Sequence, residues 1–264
     1  MAHSEFALVF IAGAVTMLAT GLGALPFFFI ETVSDRLNVA LWGVASGIMV
    51  SASVFGLIFE AREYGGPVQI GAGLLVGAAL VAVSRKLIHG YEFDPGRYES
   101  ADFPTLVLVV GVLTVHSFPE GVAVGVSFAQ LGLEGGVPLY GFSIPVLAVF
   151  MTVAISIHNI PEGIAVSIPL QSMGAGVPRM AWWAVFTSIP QPIGAVIAYG
   201  FVRLARDLLA FGFGFAAGAM LWLVIIELIP EGREAGAELP DNGNRVLIAG
   251  FIAGILIMLP LLFV

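Results

Sequence analysis

Eight apolar stretches, each long enough to cross a bilayer as a helix, constrain the fold of this chain more than any other feature. A spanning helix needs about 17–25 predominantly apolar residues. The predicted spans, numbered 1 to 8, cover about 6–30, 38–60, 67–88, 104–130, 144–170, 180–204, 209–230 and 245–264. With 59% apolar and 11% charged residues, the chain could not cover a soluble surface with polar groups. The sequence therefore predicts an all-α polytopic membrane protein, with one transmembrane domain over residues 1–264 surrounded by a lipid bilayer.

The positions of the basic residues predict the orientation of the spans, because Lys and Arg are enriched in cytoplasmic loops. An external N-terminus places most of the ten basic residues in cytoplasmic loops, namely Arg36, Arg85, Lys86, Arg97, Arg179, Arg233 and Arg245. The external loops then hold Arg62, Arg203 and Arg206. We therefore expect the protein to lie in the cell (plasma or inner) membrane, with both termini on the outside. The net charge of −8 argues against a nucleic-acid partner, and the absence of cysteine excludes thiolate metal sites.

One six-residue phrase occurs twice, in spans 4 and 5. It reads His-Ser-Phe-Pro-Glu-Gly over 116–121 and His-Asn-Ile-Pro-Glu-Gly over 158–163. In each copy a histidine and a glutamate four residues apart share one helical face. Consecutive spans are antiparallel, so the copies predict an inverted repeat about an axis in the membrane plane. The sequence thus predicts eight transmembrane helices with the motif helices 4 and 5 at the centre and a site where the copies meet.

The acidic residues of the two phrases need a cation. An ionised side chain at mid-membrane costs about 2.5–3.5 kcal/mol, and neither Lys nor Arg occurs in spans 4 and 5 to balance Glu120 and Glu162. With His116 and His158 they offer imidazole and carboxylate ligands, which suit Zn²⁺ and also Fe²⁺, Mn²⁺, Co²⁺ or Cd²⁺. We therefore expect a divalent transition metal as transported substrate, and no organic cofactor.

Two other functions remain as alternatives at this point. A proton channel or proton-coupled carrier would use the His/Glu pairs as a relay. An intramembrane metalloprotease is less favoured, because it is expected to carry His-Glu-x-x-His and none of the four histidines is followed by glutamate.

Five further residues are candidates for the transport path. Gln191, in the Thr-Ser-Ile-Pro-Gln segment of span 6, could add a neutral oxygen ligand. Glu227 and Glu231, at the end of span 7, are candidates for an exit on the cytoplasmic side. Glu60 and Glu63, at the outer end of span 2, are candidates for an entrance.

Small residues recur four positions apart in three spans, a pattern that lets helices approach closely. The pairs are Gly73 and Gly77, Gly214 and Gly218, and Gly250 and Gly254. The pattern favours packing within the chain, with a homodimer as the alternative.

At these residues the sequence resembles the ZIP (Zrt/Irt-like) family of divalent metal transporters, and its compact bacterial members in particular. Residues 158–163 match the family phrase His-Asn-x-Pro-Glu-Gly throughout, and the Glu-Leu-Ile-Pro-Glu segment of span 7 adds to the likeness. The resemblance implies eight spans with both ends outside. It also implies that His116, Glu120, His158 and Glu162 are primary metal ligands, and that Asn159 serves a second metal position bridged by the glutamates.

Two departures from the family pattern bear on that second position. Ser117, a further candidate at the metal site, stands where many members have asparagine, and Gln191 stands where many have glutamate. We therefore expect one strong metal site. The resemblance further implies that a bundle of spans 1, 4, 5 and 6 moves against spans 2, 3, 7 and 8.

Overall fold

The computed structural model describes residues 2–30, 32–88, 117–132, 136–139 and 141–260. Within these ranges seven helices are long and apolar enough to cross a membrane, which confirms the predicted all-α class. They are spans 1 (His3–Phe28), 2 (Asp35–Ala61), 3 (Pro67–Lys86), 5 (Val146–Ser172), 6 (Val177–Leu204), 7 (Arg206–Ala235) and 8 (Pro240–Met258). Span 4 is described as a helix over 117–127. It ends three residues before its predicted end, in a turn over 128–130. Residues 104–116 of its predicted range and the predicted end of span 8, 261–264, lie outside the described residues.

Several spans are interrupted by short segments of a different helical type. Span 1 is an α-helix, Ala2–Leu22, followed by a 3₁₀ turn, Leu25–Phe28. Span 2 joins Asp35–Ser51 to Phe59–Ala61 through a π-helical segment, Ala52–Ile58, and span 3 continues to Ile88. Span 6 consists of Val177–Thr187 and Pro190–Leu204. Span 7 comprises Arg206–Leu208, Leu209–Leu223, the π-helical Val224–Leu228 and Ile229–Ala235, and span 8 comprises Pro240–Gly243 and Asn244–Met258. A two-stranded hairpin, Val137–Leu139 with Phe142–Ile144, precedes span 5 and was not predicted.

Proline explains two of these local features. Pro190 starts the second helix of span 6, where its missing N–H group is no loss because the first turn has no partner for it. In span 7, Pro230 cannot donate to the carbonyl of Ile226 four residues earlier. Arg85 of span 3 donates to that carbonyl instead, which ties the two spans together.

The predicted small-residue faces pack within the chain. A Cβ atom added at Gly47 of span 2 would lie 2.1 Å from a carbonyl oxygen of span 8, and one at Gly254 of span 8 would lie 2.2 Å from a carbonyl oxygen of span 2. Spans 3 and 7 make the same kind of contact, with distances of 2.0 Å at Gly77 and 2.1 Å at Gly218. Backbone therefore rests directly on backbone in both pairs, as small residues at membrane helix contacts allow.

The contacts of the other four spans agree with an inverted two-fold relation. A Cβ atom at Gly121 of span 4 would lie 2.1 Å from the carbonyl oxygen of Gln191 in span 6. The corresponding atom at Gly163 of span 5 would lie 1.8 Å from the carbonyl oxygen of Thr20 in span 1. Exchanging span 4 with 5 and span 6 with 1 thus preserves the contact. Exchanging spans 2 and 7, and 3 and 8, likewise turns the 2–8 pair into the 7–3 pair, and spans 2 and 7 both carry a π-helical segment.

Polar and large apolar side chains are separated in space. The buried polar side chains of the described residues lie on spans 1, 2, 4, 5 and 6. Many large apolar side chains face outward, as Phe29 (91% exposed), Leu204 (92%) and Leu75 (73%) show, while others form a buried apolar core. This distribution suits an outer surface in contact with lipid and a polar interior between the motif spans.

Candidate metal centre

Three buried side chains that can bind metal meet between spans 4 and 5. They are Glu120, His158 and Glu162, and one potential ligand atom from each lies within 4.8 Å of the other two. Their exposed fractions are 0%, 2% and 8%. All three belong to the predicted ligand set. The fourth member, His116, lies outside the described residues.

In its neutral form the ring of His158 presents a lone pair to Glu120. Its Nδ1 atom lies 3.3 Å from the carbonyl oxygen of Ala45 in span 2, and since a carbonyl can only accept, Nδ1 carries the hydrogen. In the neutral ring Nε2 is then an acceptor, and it lies 3.3 Å from Oε1 of Glu120. Neither of these two buried atoms makes a hydrogen bond to the described residues. Two facing acceptors are stabilised by a cation between them.

The separation of these two atoms suits tetrahedral coordination. Ligand atoms bound to Zn²⁺ at about 2.0–2.1 Å with tetrahedral angles are about 3.3–3.4 Å apart. The Nε2–Oε1 distance of 3.3 Å matches that edge. The hydrogen bond from Nδ1 to Ala45 also orients the ring, as partners of metal-binding histidines do.

A chain of amide hydrogen bonds reaches the other oxygen of Glu120. Nδ2 of Asn159 donates to the carbonyl oxygen of Thr16 at 2.7 Å and to Oε1 of Gln191 at 3.0 Å. Nε2 of Gln191 then donates to Oε2 of Glu120. Gln191, predicted as an oxygen ligand, therefore turns its nitrogen to the carboxylate in this structure. Oδ1 of Asn159 is buried and receives no hydrogen bond from the described residues, which leaves it available as a ligand.

Ser117 lies beside the site, but its hydroxyl group is directed elsewhere. Its Oγ atom donates to the carbonyl oxygen of Thr187 in span 6 at 3.0 Å. The contact is the counterpart of the bond from Asn159 to Thr16, because each joins the second residue of a motif phrase to a threonine carbonyl.

The predicted entrance and exit residues do not join the three-residue group. Glu60 is half-buried and accepts a hydrogen bond from the Tyr64 hydroxyl at 3.1 Å. Burial and the neighbouring Glu60 raise the pKa of Tyr64, so the phenol remains a donor. Glu63 and Glu231 are exposed, and Glu227 is half-buried in the π-helical segment of span 7. Their roles stay predictions.

Sequence reasoning missed the contributions of spans 1 and 2. Thr16 and Ala45 act through backbone carbonyls, which leave no signature in a sequence. A weak signal was present, since Thr16 and Thr20 are polar residues four positions apart in an otherwise apolar span. Both are completely buried, and Thr20 shares a hydrogen bond of 2.8 Å with Ser188 of span 6.

Comparison with known proteins gives consistent relatives. The sequence model of the ZIP zinc transporter family matches residues 94–262. Zinc transporter GufA of Myxococcus xanthus is 32% identical over 259 residues, which cover 94% of this chain and 96% of GufA. Zinc transporter ZIPB of Bordetella bronchiseptica is 32% identical over 253 residues, 91% of this chain and 77% of ZIPB. A longer Arabidopsis thaliana protein is 41% identical over 237 residues, which are 89% of this chain and 36% of the plant protein.

Proposed function

Because the chain belongs to the ZIP family of divalent metal transporters, we propose that it moves Zn²⁺, or a similar ion such as Cd²⁺, Fe²⁺ or Mn²⁺, into the cytoplasm. The protein is a multi-pass membrane transporter and not an enzyme. In this proposal the protein lies in the cell membrane with both termini outside, an orientation that the distribution of basic residues favours.

The facing lone pairs of His158 and Glu120 carry the proposal. Nε2 and Oε1 are buried, 3.3 Å apart and not joined by a hydrogen bond, so a cation between them would relieve their repulsion. Glu162 has a potential ligand atom within 4.8 Å of one on each of these residues and adds a second carboxylate. One divalent ion would balance two ionised carboxylates, which matters because a net charge in a membrane interior is costly. In the proposed site His116 completes the ligand set from span 4.

The donor set favours borderline transition metals. Imidazole nitrogen with carboxylate oxygen suits Zn²⁺, Fe²⁺ and Mn²⁺, whereas Mg²⁺ and Ca²⁺ prefer oxygen alone. The chain has no cysteine, so thiolate does not strengthen the site. A carrier must release its ion, and a site without thiolate allows that release.

Metal uptake by reconstituted vesicles tests the proposed site. We expect Glu120→Gln and His158→Ala each to lower Zn²⁺ uptake by more than about 10-fold, because even changes in the groups behind metal ligands cost about 10–100-fold. Matched controls are Glu238→Gln and His3→Ala, which alter the same residue types at exposed positions and should keep wild-type uptake.

Two results would overturn the proposal. Uptake that survives a double change of Glu120 and His158 would exclude them as ligands. Proton flux without metal flux would instead support the relay. Competition among Zn²⁺, Cd²⁺, Fe²⁺ and Mn²⁺ in the same vesicles would rank the ions, and loading metal on either side would give the direction.

A further inference from the structure

A cavity of about 440 Å³ lies where span 7 ends and span 8 begins, far along both spans from the metal centre. The residues that line it are Arg233, Ala237, Asn242 and Asn244. The two spans pack tightly beside it, since a Cβ atom added at Gly232 would lie 2.6 Å from Cδ1 of Leu247. The cavity is therefore bounded by two membrane-spanning helices and the loop between them, at the surface that the proposed orientation places in the cytoplasm.

The polar side chains of this cavity have hydrogen-bond donors to spare. Arg233 is exposed, and its guanidinium makes no hydrogen bond or ion pair with the described residues. Nδ2 of Asn244 donates to the carbonyl oxygen of Asp241 at 2.8 Å, which leaves the second hydrogen of that amide for another acceptor. The planar guanidinium fork fits phosphate oxygens in pairs. Arg233 and Asn244 together thus suit a phosphate group.

An exposed apolar row leads from the cavity into the membrane along span 8. Ile248, Ile252 and Leu256 follow Asn244 at intervals of four residues in the helix Asn244–Met258, and residues four apart are neighbours on a helix surface. All three apolar side chains are more than half exposed. From 248 to 256 the row is about 12 Å long at the rise of an α-helix. Such a row provides a surface for an acyl chain whose headgroup occupies the cavity.

The charge around the cavity narrows the choice of headgroup. Residues 231–245 contain four acidic and two basic residues, and one of the basic residues, Arg245, has its Nε atom 3.7 Å from Oδ2 of Asp241. This excess of carboxylates repels a headgroup that carries only negative charge. A zwitterionic headgroup has an ammonium group beside its phosphate. Glu234, which is exposed and directly follows Arg233, offers that ammonium group an opposite charge.

We propose that this cavity binds the headgroup of a zwitterionic aminophospholipid. Arg233 and Asn244 hold its phosphate, Glu234 attracts its ammonium group, and one acyl chain lies along Ile248 and Ile252. Basic side chains between membrane helices at the cytoplasmic surface bind lipid headgroups by the same physical chemistry. The site uses none of the metal-binding residues, so the inference goes beyond the proposed function.

Native mass spectrometry of the purified protein tests the inference by counting bound lipids. The protein in detergent is titrated with phosphatidylethanolamine, and the dissociation constant of the first bound lipid is determined. We expect Arg233→Gln to weaken this binding by about 10-fold or more, because charge-assisted hydrogen bonds to the phosphate are lost. The matched control is Arg206→Gln, the same change at an exposed position at the other end of span 7, which should keep the wild-type affinity.

Two other ligands test the choice of headgroup on the wild type, independently of any variant. Phosphatidylglycerol keeps the phosphate and acyl chains but lacks the ammonium group, so we expect it to bind more weakly than phosphatidylethanolamine. Inorganic phosphate lacks both the ammonium group and the chains, and a large excess of it should leave the lipid bound.

Each contrary result overturns a stated part of the inference. Equal lipid affinity of Arg233→Gln and Arg206→Gln would exclude the cavity as the binding site. Equal affinity for the two lipids would refute the contribution of the ammonium group, and displacement of the lipid by phosphate would indicate a site for free anions instead. None of these measurements involves metal, so their failure would leave the proposed function untouched.

Discussion

Two halves of the site share the same backbone contacts but differ in their side-chain bonds. In the half formed by spans 4 and 6, Ser117 donates to the carbonyl of Thr187, and Gly121 lies against the carbonyl of Gln191. The two carbonyls belong to residues four positions apart, on either side of the break between the two helices of span 6.

The half formed by spans 5 and 1 repeats these contacts, here within the continuous helix of span 1. Asn159 donates to the carbonyl of Thr16, and Gly163 lies against the carbonyl of Thr20, again four positions further along. The difference lies in the number of hydrogens. A serine hydroxyl has one, so its chain ends at span 6, whereas the asparagine NH₂ group has two and extends to Gln191. The NH₂ group of Asn159 therefore makes the two halves of the site unequal, although their backbone contacts are alike.

The largest effect is expected from the two motif glycines, and it tests whether both halves of the site have the same backbone contacts. Gly121→Ala and Gly163→Ala would each place a Cβ atom about 2 Å from a backbone oxygen, so we expect each to lower the free energy of unfolding by about 3 kcal/mol. Denaturation in mixed micelles measures this. The control is Gly71→Ala, where a Cβ atom meets nothing within 4 Å. If only one of the two motif variants were destabilised, the two halves would not have the same backbone contacts.

An intermediate effect is expected from the residues that distinguish the halves. Asn159→Ala removes two buried hydrogen bonds and leaves the buried Oε1 atom of Gln191 without its donor, which should cost about 2–3 kcal/mol. Ser117→Ala removes one bond and should cost about 1 kcal/mol. The same unfolding measurement tests this prediction. Equal losses of stability in the two variants would contradict the proposed difference between the halves.

The smallest effect is expected at the bond that joins span 1 to span 6. Thr20→Val keeps the shape of the side chain and removes the bond to Ser188, so we expect a loss of about 1 kcal/mol. Thr152→Val is the matched control, because among the described residues the Thr152 hydroxyl bonds only the carbonyl of Ala148 in its own helix and should matter less. A control that lost as much stability as Thr20→Val would remove any special role for the link between the spans.

The repeated phrase allowed much of this site to be predicted. Spacing of four residues placed His158 and Glu162 on one face, and the need to balance buried charge brought Glu120 toward them. The direction of the Gln191 amide could not be predicted, because it depends on a carbonyl in span 1 that any residue type would supply. The correspondence of spans 1 and 6 was hidden for a similar reason, since their matching contacts use backbone atoms and require little likeness of side chains.

Glycines line the closest contacts between spans, and many large apolar side chains, such as Phe29 and Leu204, lie on the outer surface. In a water-soluble protein the large apolar side chains fill the core and supply most of the stability. Here a large share of the apolar area lies at the boundary with acyl chains, whose packing competes with helix association. A melting temperature of this protein therefore characterises the protein together with its detergent or lipid, and variants should be ranked only within one such environment.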